Sequence, residues 1–207
     1  MIEKIKLKKT SDTVFIIGGG SSLAKTLPNP SLISNRDIIC TNDAYILFPN
    51  AMVLLFADKS WFSKRMLDVQ NNFKGIVVAC PNNVADERYY INNKIDNIFN
   101  RGLDNSISET PDKLCGTNSG HIAINLAVLM GYKKIVLIGF DMDDKVRKTH
   151  WHDKHLEGTV TSRYKEVFLP AFETVVPFQD QLGFKIYNLN RESCLKSFEF
   201  ADLQDFL

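Results

Sequence analysis

Short runs of β-branched and apolar residues alternate with helical patterns along this chain, and that alternation constrains its fold more than any other feature. The runs are Thr13–Ile17, Asp37–Thr41, Met52–Phe56, Gly75–Ala79, Lys134–Ile138 and Lys185–Leu189. Helical patterns lie at about 22–27, 60–71, 119–130 and 162–182, with a last short one at 198–206. Several runs are apolar throughout. A strand covered on one face alternates apolar with polar residues; a strand covered on both does not. Continuous apolar strands interleaved with helices therefore predict an α/β fold, a single doubly wound, Rossmann-like domain with a mostly parallel sheet.

The chain length of 207 residues, 44% of them hydrophobic, suits one domain with a continuous core. Within it, 81–111 is rich in Asn and Asp, and this stretch and 141–160 are expected to be excursions over an active site. The net charge of +1, with Lys and Arg spread along the chain, offers no basic field of the kind that grips a nucleic-acid backbone. Cys40, Cys80, Cys115 and Cys194 form no CxxC pair, so reduced structural thiols are expected. The start, Met1 to Lys6, lacks the apolar stretch of a signal peptide, and no apolar run approaches the roughly 20 residues that span a bilayer. A cytoplasmic protein without membrane insertion is expected.

In a doubly wound sheet, ligands bind beyond the carboxyl ends of the strands. Gly18-Gly19-Gly20-Ser21-Ser22 follows the first strand and opens a helix. Glycines let backbone N–H groups approach a ligand, and a helix N-terminus favours an anion. The pattern is neither GxGxxG nor a Walker loop, and a plain tight turn capped by Ser21 or Ser22 fits it too. Asn42 follows the second strand, where its amide suits a ribose or base edge, or an Asx turn. Asp58 ends the third strand at the same edge.

Gly116-Thr117-Asn118-Ser119-Gly120 opens the long apolar helix, a second start of anion-binding type, with Thr117 or Ser119 as the alternative simple cap. Asp141 ends the fifth strand, where it faces the same crevice and is a candidate catalytic residue. Beyond it, His150, His152 and His155 crowd into six residues. Imidazoles so placed suit general acid–base work near neutral pH, a metal ion, or merely a solvated loop.

Taken in order, these blocks resemble a known group. Ile17 to Leu23, Cys40-Thr41-Asn42, Thr117 to Gly120, and Gly131-Tyr132-Lys133-Lys134-Ile135 running into Gly139-Phe140-Asp141 look like the nucleotide-binding core of the bacterial lipooligosaccharide sialyltransferases of glycosyltransferase family 42. They look equally like the MptE-like uncharacterised domain family found in small phage proteins, where a His-Trp-His segment follows the strand end as His150-Trp151-His152 does here. The resemblance covers about residues 13 to 155.

The first family implies a CMP-sugar donor as substrate, no metal and no tightly bound cofactor. It implies that Gly18, Gly19, Gly20, Asn42, Thr117, Ser119 and Gly120 surround the nucleotide. A histidine acts as catalytic base, best matched by His155 and next by His152. Two departures stand out. Ser21 replaces the family's proline, and Met142 with the basic stretch Lys145 to Lys148 replaces tyrosines that hold the donor phosphate. Arg147 or Lys148 suits that electrostatic task.

The expected function is therefore a nucleotide-sugar-dependent glycosyltransferase, acting in a host cytoplasm if phage-encoded. Its acceptor would be a glycan or a hydroxylated, modified DNA base. Homo-oligomers are common in the family, although these residues point to no interface. The second family, whose enzymes transfer diphosphate to a pterin, implies instead a diphosphokinase, with Mg²⁺ held by Asp58 or Asp141. A non-catalytic phage-associated binding protein with an enzyme-like fold is the third expectation, and a metal-dependent hydrolase the fourth.

Overall fold

The computed structural model describes residues 1–102, 104, 106–143 and 163–207. In chain order the elements are α1 (Ile2–Lys6), β1 (Thr13–Ile17), α2 (Leu23–Thr26), β2 (Asp37–Thr41), β3 (Val53–Phe56), α3 (Lys59–Asn72), β4 (Ile76–Ala79), α4 (Val84–Asn92), β5 (Asn97–Ile98), β6 (Asn100–Arg101), β7 (Lys113–Leu114), α5 (Ser119–Leu129), β8 (Lys134–Ile138), α6 (Leu169–Glu173), α7 (Val176–Leu182), β9 (Lys185–Asn188) and β10 (Glu199–Phe200). Short 3₁₀ turns at Pro30–Ile33, Asn42–Ile46 and Leu203–Phe206 complete the path.

Eight strands form one sheet in the order β10-β9-β8-β1-β2-β3-β4-β5, and every neighbouring pair is parallel. The strand order reverses between β1 and β8. Connections leaving β1 wind toward β5, and those leaving β8 wind toward β10, so the crevice between these two strand ends is the topological switch point.

Successive residues of one strand enter opposite cores. Val14 and Ile16 of β1 pack with Ile135 and Leu137 of β8 under the α5 side chains Ile122 and Leu126. Phe15 and Ile17 join Val136, Ile138 and Phe56 beneath Trp61 and Phe62 of α3. This period-two division between two covered faces is why the runs are apolar at every position. Helix α5 lies deep in the first core, with Gly120 through Ala127 all buried, and its sequence is apolar on all sides.

Two sequence expectations are corrected here. The helix expected over 162–182 is divided into a π-helical turn at Tyr164–Phe168, then α6, then α7. Prolines stand in the first turns of α6 and α7, where a missing N–H is harmless, and α6 ends at Thr174, whose hydroxyl bonds back to the Ala171 carbonyl at 2.7 Å. The last helix expected at 198–206 is instead β10 followed by a 3₁₀ turn. Segment 81–111 carries α4 and the edge strand β5, and it buries Tyr90, Ile95, Phe99 and Ile107. No helix among the described residues is long and apolar enough to cross a membrane.

Candidate functional site

The glycine turn, Asn42, the start of α5 and Asp141, all singled out along the sequence, come together at the carboxyl ends of β1, β2 and β8. The glycine turn after β1 is threaded against the end of β8: Gly18 N–H donates to the Ile138 carbonyl at 2.8 Å, and Gly20 N–H to the Gly139 carbonyl at 2.9 Å. A Cβ at Gly18 or at Gly20 would lie 2.6 Å from that Gly139 oxygen, so only glycine fits this approach.

Asp141 locks the same turn. Its Oδ2 accepts from the Ser22 amide at 2.9 Å and from the Ser21 hydroxyl at 3.2 Å. Its Oδ1 accepts from the Ser22 hydroxyl and from Asn190 Nδ2, the latter at 3.0 Å. The Asp141 carbonyl in turn takes the Cys194 amide at 2.8 Å and the Ser193 hydroxyl at 3.0 Å. One carboxylate thus ties β1, β8 and the loop after β9 together. Ser21 and Ser22 are not side-chain caps of α2; their hydroxyls serve this lock. The chain's own carboxylate fills the start of α2, so that helix offers an outside anion little. Among the described residues the amides of Gly19 and Ser21 have no acceptor.

The second start is arranged differently. Asn118, not Thr117 or Ser119, caps α5, its Oδ1 accepting the His121 amide at 3.0 Å. That leaves the Ser119 hydroxyl available to Asn42, whose Oδ1 it approaches at 3.4 Å. The amides of Ser119 and Gly120, the first two of the helix, have no acceptor among the described residues. The Thr117 hydroxyl accepts from Asn118 Nδ2 at 3.5 Å. The buried ring of Phe140 lies between the two starts: a Cβ on Gly120 would meet it at 2.6 Å and one on Gly18 at 3.1 Å. Sequence reasoning passed over Phe140, which has no chemistry of its own and acts as the wedge that sets the spacing.

Asn42 holds a left-handed backbone with φ of 50°. A non-glycine residue in this region is uncommon and is held there by its surroundings. At the foot of β2, the Thr41 hydroxyl donates to the Ile17 carbonyl at 3.0 Å, which fixes this strand end beside the glycine turn.

Asp58 stands apart from this group. It is exposed and caps α3, with Oδ1 accepting from the Ser60 amide at 2.8 Å and the Trp61 amide at 3.4 Å. Its placement after a strand is the signal of a helix cap here. Asp58→Ala is expected to lower stability by about 1 kcal/mol, the usual cost of a lost cap. Chemical denaturation checks this; an unchanged midpoint would show that the Asp58 carboxylate is not a structural cap.

Arg101 was also passed over. Its guanidinium donates to the Gly116 carbonyl and comes within 4.0 Å of Cys80 Sγ, placing a cation beside the residues that lead into α5. Nothing in its sequence neighbourhood signals this, because the contact depends on the β6–β7 pairing that joins 100–101 to 113–114. His152 and His155, with His150 and Lys145 to Lys148, lie outside the described residues. Among the described residues no group of three or more His, Cys, Asp or Glu is arranged to hold a metal ion.

Neither a protein-family model nor a curated protein sequence matches the chain. Solved structures do. The monofunctional alpha-2,3-sialyltransferase Cst-I from Campylobacter jejuni superposes with a TM-score of 0.59 at 15% identity, covering 93% of this chain and 82% of that one. An alpha-2,3-sialyltransferase from the same organism in apo form gives 0.54 at 17% identity over 93% and 82%. The sialyltransferase CstII from Campylobacter jejuni, solved in complex with the substrate analogue CMP-3FNeuAc, gives 0.51 at 16% identity over 92% and 85%. At such identities the likeness is one of architecture: this chain has the parallel α/β fold of these bacterial sialyltransferases across nearly its whole length.

Proposed function

We propose that the protein is a glycosyltransferase that takes its sugar from a nucleotide donor, a CMP-sugar being the best-supported class. One observation carries the reading. Asn42 at the end of β2 and Ser119 at the start of α5, far apart in sequence, meet at 3.4 Å beside the glycine turn at the switch point of the sheet. That crevice is where a doubly wound sheet binds nucleotides. It presents an amide side chain suited to a base or ribose, and helix-start amides with no acceptor among the described residues, which suit a phosphate. A neighbour of the same fold binds a CMP-sugar analogue, which adds support for the donor class.

In this reading Gly18, Gly19, Gly20, Asn42, Thr117, Ser119 and Gly120 surround the donor. The acceptor hydroxyl oxygen attacks the anomeric carbon as the bond to the nucleotide phosphate breaks. His155, or else His152, takes the hydroxyl proton, and Arg147 or Lys148 neutralises the departing phosphate. The acceptor is a surface glycan or a hydroxylated DNA base. Asp141 contributes as the lock of the glycine turn rather than as a proton carrier, because four donors already occupy its oxygens. The same occupation leaves it poorly placed as the Mg²⁺ ligand that a diphosphokinase requires.

The test is a thermal-shift panel with CMP, UDP, GDP, ADP and a pterin, each with and without Mg²⁺. CMP at about a hundred times its dissociation constant is expected to stabilise by about 2.7 kcal/mol. That is a rise in Tm of roughly 5–11 °C for a domain of this size. The rise should not require Mg²⁺. A shift with the pterin and Mg²⁺ alone would replace the transferase reading by the diphosphokinase, and no shift with any ligand would replace it by a binding module.

A further inference from the structure

We infer that Asp43 is a positioning residue that sets the nucleotide contact of its neighbour Asn42, an inference that rests on the donor reading above. Asp43 is buried, and its carboxylate is gripped from α3. Arg65 donates from Nε to Oδ1 at 2.8 Å and from Nη2 to Oδ2 at 3.2 Å, and the Trp61 indole N–H donates to Oδ1 at 3.0 Å. The two-pronged arginine contact fixes the carboxylate in direction as well as distance.

Two residues further on, the buried Tyr45 donates its hydroxyl to Asp68, also on α3, and packs its ring edge-on to Trp61 and Phe73. The 3₁₀ turn Asn42–Ile46 is therefore pinned to one helix at alternate residues. Asn42 begins that turn in the left-handed region, with its amide against Ser119. An asparagine left to itself would relax toward negative φ and draw its side chain away from α5. The grip on the next residue prevents this, so the direction of the Asn42 amide is set by a salt bridge on the far side of the backbone. Arg65 and Trp61 act through Asp43 and touch no ligand in this scheme.

The experiment compares the wild-type chain with Asp43→Asn, Arg65→Lys and Asn42→Gly. CMP affinity is measured by titration calorimetry, and the Asn42 side-chain amide signals are followed by NMR without ligand. Asp43→Asn and Arg65→Lys each loosen the grip while keeping side-chain volume, so both are expected to stay folded. Each should weaken CMP binding tenfold or more and move the Asn42 amide pair toward its free-peptide position. Asn42→Gly, which suits a left-handed backbone, should lose affinity to the same degree while its Tm holds or rises. A purely structural salt bridge would lower Tm and leave both the amide signals and the dissociation constant unchanged, and that result overturns the inference. Wild-type protein that binds no CMP overturns the donor reading itself, and the ligand role of Asp43 with it.

Discussion

Asp141→Ala is expected to cost about 3–5 kcal/mol of stability, the range for breaking a charged hydrogen-bond hub that is largely closed to water. Asp141 is only 9% exposed. Its removal strands the Ser22 amide, two serine hydroxyls and the Asn190 amide at once. The void lies where β1, β8 and the loop after β9 meet, so few neighbouring groups can close over it. For a domain of this size the loss corresponds to a fall in Tm of roughly 6–20 °C. Asp141→Asn separates a lock from a proton carrier. An asparagine keeps the shape but turns an N–H₂ group toward donors that need an acceptor, so stability should fall partway and nucleotide affinity with it. A catalytic carboxylate would behave otherwise: the asparagine variant would keep its Tm and its nucleotide while turnover vanished. That outcome, seen in parallel melting and turnover assays, would sink the lock.

The second large effect is a loss of stability in mild acid. His121 is fully buried near the start of α5, its ring stacked on Phe172 at 5.3 Å between centroids. Among the described residues neither ring nitrogen completes a hydrogen bond. Burial pushes its pKa from the ordinary 6.5 down to about 4; the nearby Ser106 backbone opposes this in part, and the charge on Arg101 adds to it.

The folded-state pKa is therefore below that of the unfolded chain. The unfolded state takes up the proton first as pH falls below 6.5. The folded state resists until about pH 4, and stability drains away between the two values. The full loss across that window is on the order of 3 kcal/mol. Replacing the ring by phenylalanine removes both the titration and two orphaned nitrogens. Denaturant midpoints for wild type and His121→Phe should diverge, in favour of the variant, as pH drops from 7 to 4. Parallel curves would show that His121 is not the titrating group, since the remaining histidines contribute equally to both proteins.

How much of this was legible beforehand differs from element to element. The strands of β1, β3 and β8 were readable because a strand covered on both faces must be apolar at each step, and no partner need be known. Helix α5 was readable for the same reason. The site was readable as a set of positions at strand ends, and Asn42, Ser119 and the glycine turn did come together. What each residue does there was not. Asp141 meets Ser21 and Ser22 across about 120 positions of chain, and its neighbours in sequence give no sign of that. A serine before a short helix reads as a cap until a carboxylate from elsewhere claims its hydroxyl. The cap of α5 passed to Asn118 because its side chain has the reach to the His121 amide, and that choice freed Ser119. The division of 162–182 depends on where Pro170 and Pro177 fall relative to the packed faces, which a period of 3.6 does not encode.

The outer strands of the large sheet are only two residues long, Asn97–Ile98 on one flank and Glu199–Phe200 on the other. A flank so brief leaves too few open backbone groups to template another chain, and Lys185 and Glu199 add a charged pair across the second flank at 2.9 Å. The protein can thus carry a broad, strongly apolar sheet without the tendency of such sheets to stack edge to edge into fibrous aggregates.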